Sequence, residues 1–130
     1  MREILFRGKR KDNREFVYGL PFSMHASNKV EGIETFDGER HIVIPDTVGQ
    51  YTGRRDKFWR KIYENDIVIY KWGNRAVLME IVFGDGEFRM RPLKEYPFET
   101  WEIRIADEDY LEILGNIYDN PELIGSENCD

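Results

Sequence analysis

Thr47 to Tyr70, TVGQYTGRRDKFWRKIYENDIVIY, decides the fold. Thr47, Val48, Gln50 and Tyr51 favour an extended chain reaching Gly53, a charged loop follows, and Lys61 to Tyr70 reads as a turn feeding a buried strand. Within the loop, Arg54, Arg55, Lys57, Arg60 and Lys61 are interleaved with Phe58 and Trp59. No step in this stretch requires catalysis.

Downstream, Asp66 to Tyr70 (DIVIY) is the most strand-like run in the protein and is bounded by Trp72-Gly73-Asn74. Arg75 to Phe83 continues as a second long strand, and Gly84-Asp85-Gly86 turns the chain into Glu87 to Arg91. Three strands joined by short Gly and Asn turns suit the opening meander of a small SH3-like barrel. Pro92 to Glu99 carries two prolines and reads as an excursion over the barrel mouth. Trp101 to Ile105 alternates as a strand, Ala106 to Tyr110 has room for one helical turn, and Tyr110 to Tyr118 closes the sheet, broken or bulged at Gly115. Asp119-Asn120-Pro121 terminates that strand, and Ile124 to Asp130 holds too few core formers to pack.

Upstream, Ile4 and Phe6 alternate in a first strand over Arg2 to Gly8, and Arg14 to Leu20 forms its hairpin partner. Lys9, Arg10 and Lys11 are expected to keep the tip of that hairpin solvated rather than to bind phosphate. Lys29 to Phe36 is a third strand, and Asp37-Gly38 turns it into Arg40 to Ile44 through a type I′ turn that needs positive φ. Helix is scarce, because no long window holds a 3.6-residue period with caps at both ends. The expected fold is therefore all-β or mainly β. An N-terminal β subdomain with the basic loop (residues 1–60) leads into an SH3-like β-barrel (61–123) and a frayed tail (124–130).

At 130 residues, a chain of this size buries roughly two-thirds of its unfolded surface without staples. The single cysteine, Cys129, allows no intramolecular disulfide and fits a reducing compartment. The N-terminus lacks the apolar core of a signal peptide and no run approaches a membrane span, so a cytoplasmic protein with no membrane partner is expected. The net charge of −6 hides an asymmetry: residues 41–62 carry 5 basic against 2 acidic side chains, and residues 92–130 carry 2 against 11. Opposite charges of this kind can meet within or between subunits, or leave a basic face for an anionic partner.

Gly49-Gln50-Tyr51-Thr52-Gly53, Asp56-Lys57, Lys61-Ile62-Tyr63-Glu64 and Asp66-Ile67-Val68 together resemble the signature of the YopX family, small proteins carried by bacteriophages and prophages. Met1-Arg2-Glu3-Ile4 with Phe6-Arg7, and Gly115-Asn116-Ile117-Tyr118-Asp119-Asn120-Pro121-Glu122-Leu123, are similar to the two ends of that family. The resemblance implies a mainly β protein with an SH3-like barrel in its second half, a tendency to self-assemble, and no established activity or catalytic residues. Two positions depart from the pattern. Phe58-Trp59 stands where an Asn-Gly type of turn is usual, so the tip is expected to be rebuilt, because bulky aromatics adopt positive φ poorly. Asn65 stands where Gly is usual, and Asn is the next best residue in the left-handed region.

The residues offer no enzyme. Asp107, Glu108 and Asp109 are adjacent and point apart, whereas acid and base carboxylates must converge on one bond. Ser23 and Ser126 lack a nucleophile elbow, Cys129 lacks a base, and the glycine turns match neither a Walker loop nor a dinucleotide fingerprint. His25 and His41 have no neighbouring ligand at metal spacing. No cofactor or small-molecule substrate is evident.

Two readings remain for Arg54, Arg55, Lys57, Phe58, Trp59, Arg60 and Lys61. The leading one is an interaction module that forms homo-oligomers, with Phe58 and Trp59 buried against a neighbour or folded back onto their own subunit. The alternative is a nucleic-acid-binding β protein that stacks bases on the aromatics of Arg54 to Tyr63 while the cations follow the phosphates. The acidic overall charge weighs against the second.

Overall fold

Short strands account for nearly all regular structure in the computed structural model, which describes residues 3–24, 28–93, 103–104 and 111–125. In chain order these are β1 (Phe6–Lys9), β2 (Phe16–Phe22), β3 (Gly32–Glu34), β4 (Arg40–Ile42), β5 (Gly49–Arg55), β6 (Lys61–Tyr63), β7 (Asp66–Trp72), β8 (Arg75–Gly84), β9 (Glu87–Pro92), β10 (Ile103–Arg104) and β11 (Leu111–Asn116). A 3-10 turn, Pro45–Thr47, precedes β5, and a short helix α1, Pro121–Gly125, follows β11. The chain divides into two compact units, Met1–Tyr51 and Thr52–Asp130. The division falls inside β5, earlier than the 60/61 boundary drawn from the sequence, and it leaves the basic loop in the second unit.

In the first unit the strands run in the order β4-β3-β2-β1-β5, all antiparallel where their register is defined. Leu5, Ile33, Val43 and Tyr51 are its buried apolar side chains. Gly19 lets β2 and β3 approach closely, because a Cβ there would stand 1.9 Å from the Glu34 carbonyl oxygen. β2 continues through Pro21 to Phe22, beyond the expected end at Leu20. Lys9 is not part of a wet tip: it is buried, its Nζ donates to the Arg14 carbonyl at 2.9 Å and lies 4.8 Å from the Phe16 ring centre. Arg10 is half-buried and forms an ion pair with Asp12 in the same turn.

The Asp37-Gly38 turn also differs from expectation. Gly38 has φ 92 while Asp37 does not take positive φ, and the Gly38 N–H donates to the Thr35 carbonyl at 3.0 Å. This is a three-residue loop ending in a glycine bulge rather than a two-residue type I′ turn. The type I′ geometry occurs at Asp85-Gly86, with φ 52 and 79, where Gly84 pairs with Glu87.

In the second unit β5 pairs with β6, and a five-stranded antiparallel sheet has the order β10-β9-β8-β7-β11. Cross-strand neighbours stack on one face: Val68 opposite Met79 and Ile113, Tyr70 opposite Val77 and Leu111, and Ile81 opposite Met90. With Ile62 they form the buried core. Such ladders of opposed apolar side chains are the unit of sheet stabilisation. The sheet is nevertheless open, and no sheet closes into the expected SH3-like barrel among the described residues. The bulge expected at Gly115 is present between Ile113 and Gly115.

α1 takes in Ile124 and Gly125, which the sequence assigns to a frayed tail. Asn116 begins the turn that leads into it, accepting at Oδ1 from the Tyr118 and Asp119 N–H groups at 3.0 and 2.9 Å. Of the expected strand Trp101 to Ile105, only Ile103 and Arg104 are described. The excursion over 94–99, the helical turn at 106–110 with its three acids, His25 and Cys129 lie outside the described residues.

Candidate functional site

Residues 56–60 join β5 to β6, and a single carboxylate organises them. The Asp56 N–H donates to the Arg60 carbonyl at 2.8 Å, and the Trp59 N–H donates to the Asp56 carbonyl at 2.9 Å, closing a tight turn. The Asp56 side chain is fully buried. Its Oδ1 accepts from the N–H groups of Phe58 at 3.0 Å and Arg60 at 2.9 Å. Its Oδ2 accepts from Arg60 Nε at 3.0 Å, Arg60 Nη2 at 2.8 Å and the Ile113 N–H at 3.0 Å. Burial alone would push this carboxyl up, but the N–H bonds from Ile113 and Arg60, the Arg60 side chain and the Phe58 N–H outweigh it, and the group is held below the usual carboxylate value.

The same contacts dock the loop along the outer edge of β11. Arg60 Nη2 donates to the Ile113 carbonyl at 2.9 Å, the Lys57 N–H donates to the Leu111 carbonyl at 2.8 Å, and Lys57 Nζ lies 3.2 Å from Glu112 Oε1. The Asp56 carboxylate and the Arg60 guanidinium thus stand where a neighbouring strand would offer its carbonyl and amide. An edge strand capped in this way cannot template another chain at those positions.

Above that anchor sit Phe58 and Trp59, each 61 % exposed. The fold-back onto the subunit's own core does not occur. The tip is not rebuilt either: Trp59 itself takes φ 68, a left-handed conformation in which a bulky side chain is an outlier. The turn geometry that Gly would adopt freely is therefore imposed on Trp by the Asp56 bonds on either side of it. Arg55 Nη1 donates to the Trp59 carbonyl at 2.8 Å, and its guanidinium lies 5.2 Å from the Trp59 ring centre. Lys57 and Arg60 lie 5.1 and 5.5 Å from the Phe58 ring centre. Arg54 is exposed near the end of β5, and Lys61 is half-buried in β6. Of the seven residues selected from the sequence, Arg55, Lys57, Phe58, Trp59 and Arg60 meet in this one cluster. Asp56, its organiser, was not among the seven; the available signal was one acid set among five cations.

The rest of the signature has structural work. Asn65 takes φ 75, its N–H donates to the Ile81 carbonyl at 2.8 Å, and its carbonyl accepts from the Ile117 N–H at 3.1 Å. Asn65 Nδ2 donates to the Tyr118 hydroxyl at 3.0 Å, while the buried Asp66 accepts from the Tyr63 N–H at 2.8 Å. The turn after β6 and the turn after β11 are therefore fastened to each other. Among the described residues, no three His, Cys, Asp or Glu side chains are grouped to hold a metal ion, and no helix is long and apolar enough to cross a membrane.

Comparison with known proteins agrees with this architecture. The crystal structure of protein EF1440 from Enterococcus faecalis is similar at 26 % identity and a TM-score of 0.62, over 95 % of this chain and 99 % of that one. No curated protein matches the chain. The YopX protein family matches residues 5–125, which include the Asp56 loop, the Asn65 turn and the Asn116 turn. The chain belongs to the YopX family.

Proposed function

We propose that this chain is a non-enzymatic interaction module that self-associates through the Phe58–Trp59 tip, acting in the cytoplasm of a bacterial host. One observation carries the reading: Trp59 holds a left-handed backbone at φ 68 and leaves its ring 61 % exposed. The backbone conformation costs roughly 1 to 2 kcal/mol in a residue with a Cβ. An exposed large side chain also forgoes roughly 1.5 to 3 kcal/mol of burial. The Asp56 bonds offset the first cost, while among the described residues the ring stays mostly uncovered, and a neighbouring surface would recover the second. Because Asp56 fixes the backbone beneath the rings, little ordering entropy is lost on docking.

Nucleic-acid binding is the weaker reading. Lys57 and Arg60 are already paired with Glu112 and Asp56, and cations lie over the rings on which bases would stack. The test is molar mass in solution by light scattering for the wild type and for Phe58→Ser/Trp59→Ser, with Arg54→Ala/Arg55→Ala for comparison. The double Ser variant should fall to monomer and the arginine variant should change less, since apolar anchors dominate interface energy. An unchanged mass for the double Ser variant would defeat the proposal. Tight binding of a labelled single strand that both variants weaken would instead favour the nucleic-acid reading.

A further inference from the structure

We propose that the surface covering the Phe58–Trp59 tip is the end of the β8–β9 hairpin on a second copy, with Arg55 of one copy paired to Asp85 of the other. The contact rests on the self-association proposed above and names its partner. The need for a carboxylate follows from the tip itself. Lys57 and Arg60 have acids of their own chain beside them, Glu112 at 3.2 Å and Asp56 at 2.8 Å. Arg55 has none among the described residues: its Nη1 donates to the Trp59 carbonyl at 2.8 Å, and its guanidinium lies 5.2 Å from the Trp59 ring centre. A surface that covers the Trp59 ring therefore takes the Arg55 charge out of water with it. A guanidinium desolvated without a carboxylate opposes docking, so the covering surface has to bring one.

The β8–β9 hairpin presents an acid and an aromatic surface together. Its last pairs are Phe83 opposite Phe88 and Gly84 opposite Glu87, and Asp85-Gly86 closes the turn at φ 52 and 79. Phe83 is 56 % exposed and meets Phe88 edge to face, with ring centres 5.2 Å apart. Two rings held across a tight turn are an ordered apolar platform, so little side-chain entropy is lost when Phe58 and Trp59 pack on it. Asp85 is exposed and no cation pairs with it among the described residues, whereas Glu87 lies 2.8 Å from Arg89. The turn at Phe36 also sets an acid beside an exposed ring, but Asp37 Oδ1 already accepts from the Thr35 hydroxyl and the Glu39 N–H. Asp85 is the carboxylate left open for Arg55, and opposite charges at that point set the register of the contact. A contact between two different patches is heterologous, and it closes into a ring or extends into a chain.

The test is charge exchange followed by sedimentation velocity, with each variant checked for wild-type circular dichroism. Arg55→Glu and Asp85→Arg should each lower the association constant at least about tenfold, because each sets like charges together. Arg55→Glu/Asp85→Arg in one chain should recover assembly, and so should an equimolar mixture of the two single variants, because both arrangements restore opposite charges across the contact. Loss without recovery would overturn the pairing. Asp85→Asn keeps a residue suited to the positive-φ turn and should weaken assembly while flattening its dependence on salt. Phe83→Ser should weaken it as well. Either of these two variants assembling like the wild type would overturn the hairpin contact while leaving self-association through the tip standing. A Phe58→Ser/Trp59→Ser variant that assembles like the wild type would overturn both.

Discussion

Asn65 and Trp59 occupy the same kind of backbone well for opposite reasons. Asn65 suits φ 75 and uses its amide to reach Tyr118. Asn65→Gly should therefore change stability by less than about 0.5 kcal/mol, the relief of backbone strain offsetting the lost bond. Asn65→Ala keeps the strain and loses the bond, so it should cost about 1 to 2 kcal/mol in a urea titration. Equal losses for Gly and Ala would show that the side-chain bond matters and the backbone does not. Asp56 acts differently, since its carboxylate gathers five N–H donors in a buried position. Asp56→Ala should cost about 3 kcal/mol, because it strands buried amides and an arginine without an acceptor. The folded-state pKa is depressed, so this contribution is fully present above the unfolded value near 4. It is lost as pH falls from there through the folded value. Wild-type unfolding followed from pH 6 to pH 2 should lose stability that Asp56→Ala never had, and parallel curves would refute the assignment.

At the scale of elements, the sheet strands were legible because their signals are local. Ile67-Val68-Ile69 and, apart from Glu80, Val77 to Val82 are β-branched or apolar over lengths that exclude a surface helix, and Gly73-Asn74 and Asp85-Gly86 mark turns by chemistry alone. The misreadings all turn on tertiary context. Asp37-Gly38 carries the same dipeptide as Asp85-Gly86, yet a Thr35 hydroxyl and a third loop residue give it another geometry. Trp59 has no propensity for positive φ, and only the buried Asp56 explains why it adopts it. Lys9 reads as surface by composition but packs on Phe16. The aromatic cluster was visible in the sequence while its anchor was not, because the Ile113 amide that Asp56 accepts lies 57 residues away along the chain. Gly19 is a further position that only the fold explains. Gly19→Ala should destabilise the first unit by about 2 to 3 kcal/mol by forcing β2 from β3. Amide exchange at Leu20 and Glu34 would register the opening, and unchanged protection would contradict the close approach.

For the whole molecule, most motifs that identify the family build the fold, while Phe58 and Trp59 stand exposed side by side at the tip of their loop. The sharpest test of self-association through that tip exploits the strain in Trp59. Trp59→Gly relaxes a backbone held at φ 68 and removes a ring that is 61 % exposed. The folded subunit should become more stable by about 1 kcal/mol even as it loses an anchor. Sedimentation velocity of Trp59→Gly beside the wild type is the most direct measurement. Trp59→Gly should be a monomer at concentrations where the wild type assembles, and an oligomer of unchanged size would refute self-association through the tip.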